Sequence, residues 1–164
     1  MRIKVESWNV RTMLQAGKMA EIADELLKYD LDITALQETR WKGYRRKGNQ
    51  DILYYTVEQR NNVNKVLGFI IKRSMENSII DFESINSRMC KVRIKGKFYN
   101  TMIVNIHAPT ESANEEQTQQ FCEDLNRCCD QIPKHDALLI VGDFNAKIGK
   151  EPSQSISCGT TYNS

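Results

Sequence analysis

Asp143 and Asn145 stand two residues apart in LLIVGDFNAKIG, Leu138 to Gly149, directly after an apolar run of strand length. A carboxylate is a hard anionic donor suited to Mg²⁺, and a carboxamide offers both a donor and an acceptor to a phosphate or a water. Residues at i and i+2 of an extended chain point the same way and the residue between them points oppositely, which directs Phe144 into the core. Gly, Asp and Asn also favour turns, so the same GDFN is what a strand running into an Asx-type turn looks like. Three other apolar runs close in a similar way. Ile3 to Trp8 leads into Asn9, within WNVRT. Ile33 to Leu36 leads into Gln37-Glu38, within QETRW. Met102 to Ile106 leads into His107, within HAPT. Ligands in open α/β sheets bind just outside such strand ends. Four runs that each close on an Asn, Glu, His or Asp/Asn pair can gather those groups at one rim, a recurrence that turn chemistry does not explain.

The elements that must position these groups follow from periodicity. Between the first two strands, Lys18 to Tyr29 places Met19, Ile22, Ala23, Leu26 and Leu27 on one helical face. Further strands are expected at Ile52 to Val57, Leu67 to Lys72, Ile79 to Ile85 and Met89 to Ile94, with a loop tip at Asn61 to Lys65. Lys95-Gly96-Lys97 then reads as a hairpin turn into a strand from Phe98 to Ile106. A second helix, about Glu115 to Ile132, repeats Phe121, Leu125, Cys128 and Ile132 on a buried face, and Leu138 to Val141 reads as a buried strand. Alternating strands and helices with one long hairpin make the class mixed α/β.

Composition narrows the function classes. The chain has 164 residues, enough for one domain with a substantial core. Its 40% hydrophobic and 27% charged content is ordinary for a globular protein. No segment approaches the roughly 18 consecutive apolar residues of a membrane span, and the N-terminus carries acidic and polar residues where a signal peptide needs an apolar block. The expectation is an intracellular protein, nuclear or cytoplasmic, without a membrane partner. Five cysteines, an odd number without CxxC spacing, argue against a disulfide framework or a zinc site. His135 sits in a connector between helix and strand.

The net charge is only +2, so no global field announces a polyanion partner. Local charge does. In RWKGYRRK, five of eight residues, Arg40, Lys42, Arg45, Arg46 and Lys47, are cationic, and Trp41 and Tyr44 are interleaved. Such a segment can meet phosphates with its cations and bases with its rings, although a solvated loop has the same composition. Its position directly after Glu38 favours the nucleic-acid reading.

The motifs WNVRT (Trp8 to Thr12), LQETRW (Leu36 to Trp41), NIHAPTE (Asn105 to Glu111) and GDFNAKIG (Gly142 to Gly149), in this order, resemble the endonuclease/exonuclease/phosphatase superfamily. With IIKR, KGKFYN and IPKHD they resemble most the branch holding craniofacial development protein 2 and the endonuclease domains of non-long-terminal-repeat retrotransposons. The resemblance covers roughly residues 3 to 152. It implies a four-layer sandwich of two mixed β-sheets flanked by helices. It also implies a Mg²⁺-dependent phosphodiester hydrolase acting on DNA, with Mn²⁺ as an alternative ion. Glu38 then corresponds to the main metal ligand and Asn9 to the asparagine that assists the metal or its water. Asp143 orients or activates the water, Asn145 holds the scissile phosphate, and His107 stands where relatives carry a His or Tyr at the phosphate or leaving group.

The chain departs from the family after GDFNAKIGKEP. The family's C-terminal Asp-His pair has no counterpart, because both histidines lie earlier and no Asp follows Asp143. Residues 1–152 read as the domain with its last strands missing, and 153–164 as a polar tail. The expectation is therefore a hydrolase-like fragment with low or no activity, and the alternative is a catalytically dead remnant of a retrotransposon-derived endonuclease that binds nucleic acid or protein.

Overall fold

A computed structural model describes residues 3–11, 21, 22, 24, 25, 28–39, 52–56 and 67–145. Eight strands are present among them: β1 (Val5–Asn9), β2 (Ile33–Gln37), β3 (Ile52–Thr56), β4 (Gly68–Lys72), β5 (Ile79–Asn86), β6 (Met89–Ile94), β7 (Thr101–His107) and β8 (Ala137–Asp143). They form two four-stranded mixed sheets of order β1-β2-β4-β3 and β5-β6-β7-β8. One helix, α1 (Glu115–Asp130), joins β7 to β8, and helical residues 21, 22, 24, 25 and 28 lie between β1 and β2.

Alternation along β7 explains how the layers stack. Ile103 joins Ile33, Ala35, Phe69, Ile71, Cys90, Val92 and Ile94 in an apolar core between the sheets. The intervening Met102, Val104 and Ile106 pack with Phe121 and Cys128 of α1 on the opposite face. A central strand covered on both sides reads as a continuous apolar run, which TMIVNIH nearly is. Asn114 caps α1, its side chain accepting the Gln117 N–H at 2.8 Å. Burial holds the Cys90 and Cys128 thiols above their ordinary range, consistent with small core residues rather than reactive ones.

Each sheet contains one parallel pair, β1 with β2 and β7 with β8. Parallel partners need a crossover, and both their C-terminal ends emerge at the same edge. The closing residues are therefore delivered side by side: Asn9 next to Gln37-Glu38, and His107 in register with Asp143.

Four expectations are corrected. Phe144 is 54% exposed rather than in the core, because β8 ends at Asp143 and the period-two rule ends with it. The hairpin is wider than a tight turn: residues 95–100 form an irregular connection, β7 starts at Thr101, and Phe98 and Tyr99 are exposed. Leu138 and Leu139 are also exposed, since β8 is an edge strand and nothing described covers its outer side. The second helix stops at Asp130, short of Ile132. Residues 40–47 and 61–65, the basic aromatic segment and the loop tip, lie outside the described residues.

Candidate functional site

Four strand ends build the site. Glu38 follows β2 with φ 57°, a left-handed conformation uncommon for a residue with a long side chain. Its Oε1 lies 3.5 Å from His107 Nε2, and Asp143 Oδ2 lies 3.8 Å from the same nitrogen. A ligand atom from each of Glu38, His107 and Asp143 falls within 4.8 Å of the other two. Asn9 stands between the acids: its Nδ2 donates to Glu38 Oε1 at 3.1 Å and to Asp143 Oδ2 at 2.9 Å. The imidazole is buried, while the two carboxylates keep part of their surface open, so the constellation has a floor and a mouth.

Backbone turns fix the direction of these groups. The Asn145 N–H donates to Asp143 Oδ1 at 3.0 Å and the Arg11 N–H to Asn9 Oδ1 at 3.1 Å, both Asx turns. Asn145 and Arg11 have φ of 46° and 56°. The turn chemistry and the functional cluster thus belong to the same residues. Sparsely populated backbone conformations at three of four strand ends each cost about 1–3 kcal/mol, a pattern that accumulates where geometry serves function. Asn145 Nδ2 donates to the Ala108 carbonyl at 2.7 Å, which turns Asn145 toward the segment after His107. The Ala108 N–H in turn donates to the Asp143 carbonyl at 2.8 Å. Arg88 brackets His107: its carbonyl accepts the His107 N–H at 3.0 Å and its guanidinium donates to the His107 carbonyl at 3.2 Å.

This donor set fits a divalent cation. Two carboxylates from different sheets face one opening, and the neutral Asn9 amide bridges them. Oxygen-rich sites with a single imidazole suit Mg²⁺ or Mn²⁺. All five residues singled out for chemistry, Asn9, Glu38, His107, Asp143 and Asn145, lie at this rim. Arg40, Trp41, Lys42, Tyr44, Arg45, Arg46 and Lys47 lie outside the described residues. His135 is far away, 3.5 Å from Asp136 just before β8 begins.

Sequence reasoning passed over a second tier below the rim. Gln37 bonds to Ser7 on the neighbouring strand of its own sheet and to Asn105 of the other sheet, and Gln37 and Asn105 are buried. A signal was present, an amide inside an otherwise apolar run, since a buried carboxamide needs partners.

Comparison with known proteins agrees with this architecture. Residues 7–161 match the Endonuclease/Exonuclease/phosphatase family, running into the stretch that composition marks as a polar tail. Craniofacial development protein 2 of Bos taurus is 32% identical over 153 residues, covering 93% of this chain and 26% of that protein. The Tragulus javanicus protein of the same name is 31% identical over the same coverage. The chain thus spans about a quarter of the length of these relatives. Among solved structures, the endonuclease domain of TRAS1, a telomere-specific non-LTR retrotransposon, superposes with TM-score 0.63 at 17% identity, covering 89% of this chain and 62% of that one. D. rerio TDP2 complexed with a single-strand DNA product gives TM-score 0.62 at 12% identity over 88% of this chain and 61% of that one. An AP endonuclease from Archaeoglobus fulgidus gives 0.63 at 16% identity, over 88% and 58%. These structural likenesses establish the fold.

Proposed function

The chain belongs to the endonuclease/exonuclease/phosphatase family, and from that premise we propose that it hydrolyses phosphodiester bonds of DNA at the rim formed by Glu38, His107 and Asp143. The observation that carries the reading is the convergence of these three side chains, from both sheets, to within 4.8 Å.

Glu38, assisted by Asn9, would hold Mg²⁺ or Mn²⁺. When bound, such an ion offsets charge on the phosphate and lowers the pKa of a coordinated water. Asp143 is the group to orient the attacking water and accept its proton, its Oδ1 fixed by the Asn145 N–H so that Oδ2 faces the rim. His107 meets the phosphate or leaving oxygen from the floor of the site. Asn145 steadies the scissile phosphate. DNA as substrate is supported by the cationic, aromatic segment from Arg40 to Lys47 next to Glu38. Two structural neighbours favour the same substrate, the endonuclease domain of TRAS1 and TDP2 with its single-strand DNA product.

One observation favours a second reading, a site that binds nucleic acid but does not turn over. The chain has two histidines, and with His135 remote from the rim, no second described imidazole is available to take the proton from water.

Nicking of supercoiled plasmid by the purified chain, with Mg²⁺ and with EDTA, separates the two. Hydrolysis requires metal-dependent nicking that falls at least about 10²-fold in Glu38→Ala and Asp143→Ala. A folded chain that retards DNA on a gel yet leaves the plasmid intact with either ion rejects the hydrolase and leaves the binding module.

A further inference from the structure

Asn105 lies two residues before His107 on the same face of β7 and is fully buried between the sheets. Its Nδ2 donates to the carbonyls of Leu36 at 3.0 Å and Gly68 at 2.9 Å. Those two residues are register partners at the end of the β2–β4 ladder. Its Oδ1 accepts a 2.7 Å bond from Gln37 Nε2. Gln37 in turn pairs with Ser7 of β1, its Nε2 donating to Ser7 Oγ at 3.1 Å and its Oε1 accepting the hydroxyl at 3.3 Å. One side chain from one sheet therefore grips two strands of the other, and a second carries the connection to a third.

Stability alone does not account for this layer. The core directly below is apolar, and apolar side chains of similar volume would hold the sheets together as well as buried polar groups do. Hydrogen bonds add direction and spacing, which matching shapes alone do not. The bonded carbonyl of Leu36 lies one peptide before the Gln37-Glu38 step that turns into the left-handed conformation. Farther along β7, His107 stands in register with Asp143. Asn105 thus ties the strand end that carries Glu38 to the strand ends that carry His107 and Asp143.

We propose that Asn105, with Gln37 relaying to Ser7, is the positioning residue that sets the distance between Glu38 on one sheet and His107 and Asp143 on the other. Its consequence for catalysis rests on the hydrolase reading above; its consequence for geometry does not. Constellations of this kind must be held to within about 0.5 Å, and a misplacement of about 1 Å costs on the order of 10²-fold in rate.

The test compares Asn105→Ser, too short to span the gap, and Gln37→Met, which keeps length and leaves the Asn105 bonds to both carbonyls, with Ile94→Val. Ile94 belongs to the same core at the far end of β6, away from the rim. All are assayed well below their melts for Mn²⁺ affinity by calorimetry, plasmid-nicking kcat and KM, and amide hydrogen exchange. The expected result for Asn105→Ser is Mn²⁺ binding weakened at least about 10-fold, kcat down by about 10–100-fold with KM nearly unchanged, and faster exchange confined to residues 36–39. Gln37→Met shifts the same readings by less and decides the matter if Asn105→Ser does not fold. Metal affinity and kcat that match Ile94→Val overturn the proposal. Should the unmutated chain neither bind Mn²⁺ nor nick, the hydrolase reading fails separately. Exchange then decides: acceleration localised at 36–39 upholds the positioning role, and uniform acceleration along β2 and β4 rejects it.

Discussion

Gly142 shows how little freedom individual positions at the rim have. It pairs with Ile106 in the parallel ladder, has φ +136°, and a Cβ built on it would lie 2.0 Å from the Ile106 carbonyl oxygen and 2.8 Å from its carbonyl carbon. No side chain relaxes such a clash, because the obstacle is backbone. Strands β7 and β8 can approach closely enough to align His107 with Asp143 only because this position lacks a Cβ. Gly142→Ala is therefore expected to cost about 1–3 kcal/mol in backbone strain and to displace Asp143. Chemical denaturation checks the first effect, and a Mn²⁺ titration the second. Unchanged metal affinity would mean that Asp143 reaches the rim by another route.

At the scale of elements, the start of β8 is held as firmly as its end. Arg93 of β6 forks onto Asp136, with Nε to Oδ2 at 2.6 Å and Nη2 to Oδ1 at 3.0 Å, and the Asp136 side chain is fully buried. The guanidinium holds the Asp136 carboxyl below the usual carboxylate range. A carboxyl whose folded pKa is depressed contributes stability above its unfolded value, near 3.9, and loses it as pH falls through the lower folded value. Asp136→Asn is accordingly expected to lower unfolding free energy by about 1.5–3 kcal/mol at pH 7. Urea titrations should show that deficit shrinking progressively below about pH 4. A deficit of equal size at pH 7 and pH 2.5 would remove the charge argument. Strand positions are largely legible in the sequence because apolar runs bounded by turn residues are what buried strands require. The misses share a cause. An inward Phe144 follows only if strand periodicity is extended past the last ladder pair. Phe98 and Tyr99 read as strand because nothing local reveals that Gly96 and Asn100 close a wider connection, with the Gly96 N–H 3.4 Å from Asn100 Oδ1. Leu138 and Leu139 look like any buried pair, and strand order, a long-range property, decides that they lie on an edge.

For the molecule as a whole, the site belongs to neither sheet. Asn9 and Glu38 come from one and His107 and Asp143 from the other, so a cation held among them would also clasp the sandwich. The rim residues can be named from motifs; that they bridge the two sheets cannot, since Asn9 and Asp143 are 134 positions apart in sequence yet 2.9 Å apart in space. The amides beneath them are hidden for the same reason, because their partners are 68 and 69 positions distant. Binding confined to the folded state stabilises it by about 2.7 kcal/mol at a hundredfold excess over Kd. For a chain of this size that raises Tm by roughly 5–10 °C. Differential scanning calorimetry with Mg²⁺ or Mn²⁺ is expected to show such a rise, reversed by EDTA and absent in both Glu38→Ala and Asp143→Ala, since Glu38 would hold the ion from one sheet and the Asp143 carboxylate faces the same opening from the other. His135→Ala, altered at the far end of β8, keeps the full rise. If the shift survives loss of Glu38 or of Asp143, the cation sits elsewhere and the two sheets are not joined through it. If it vanishes with either carboxylate, folding and metal binding are linked across the two sheets.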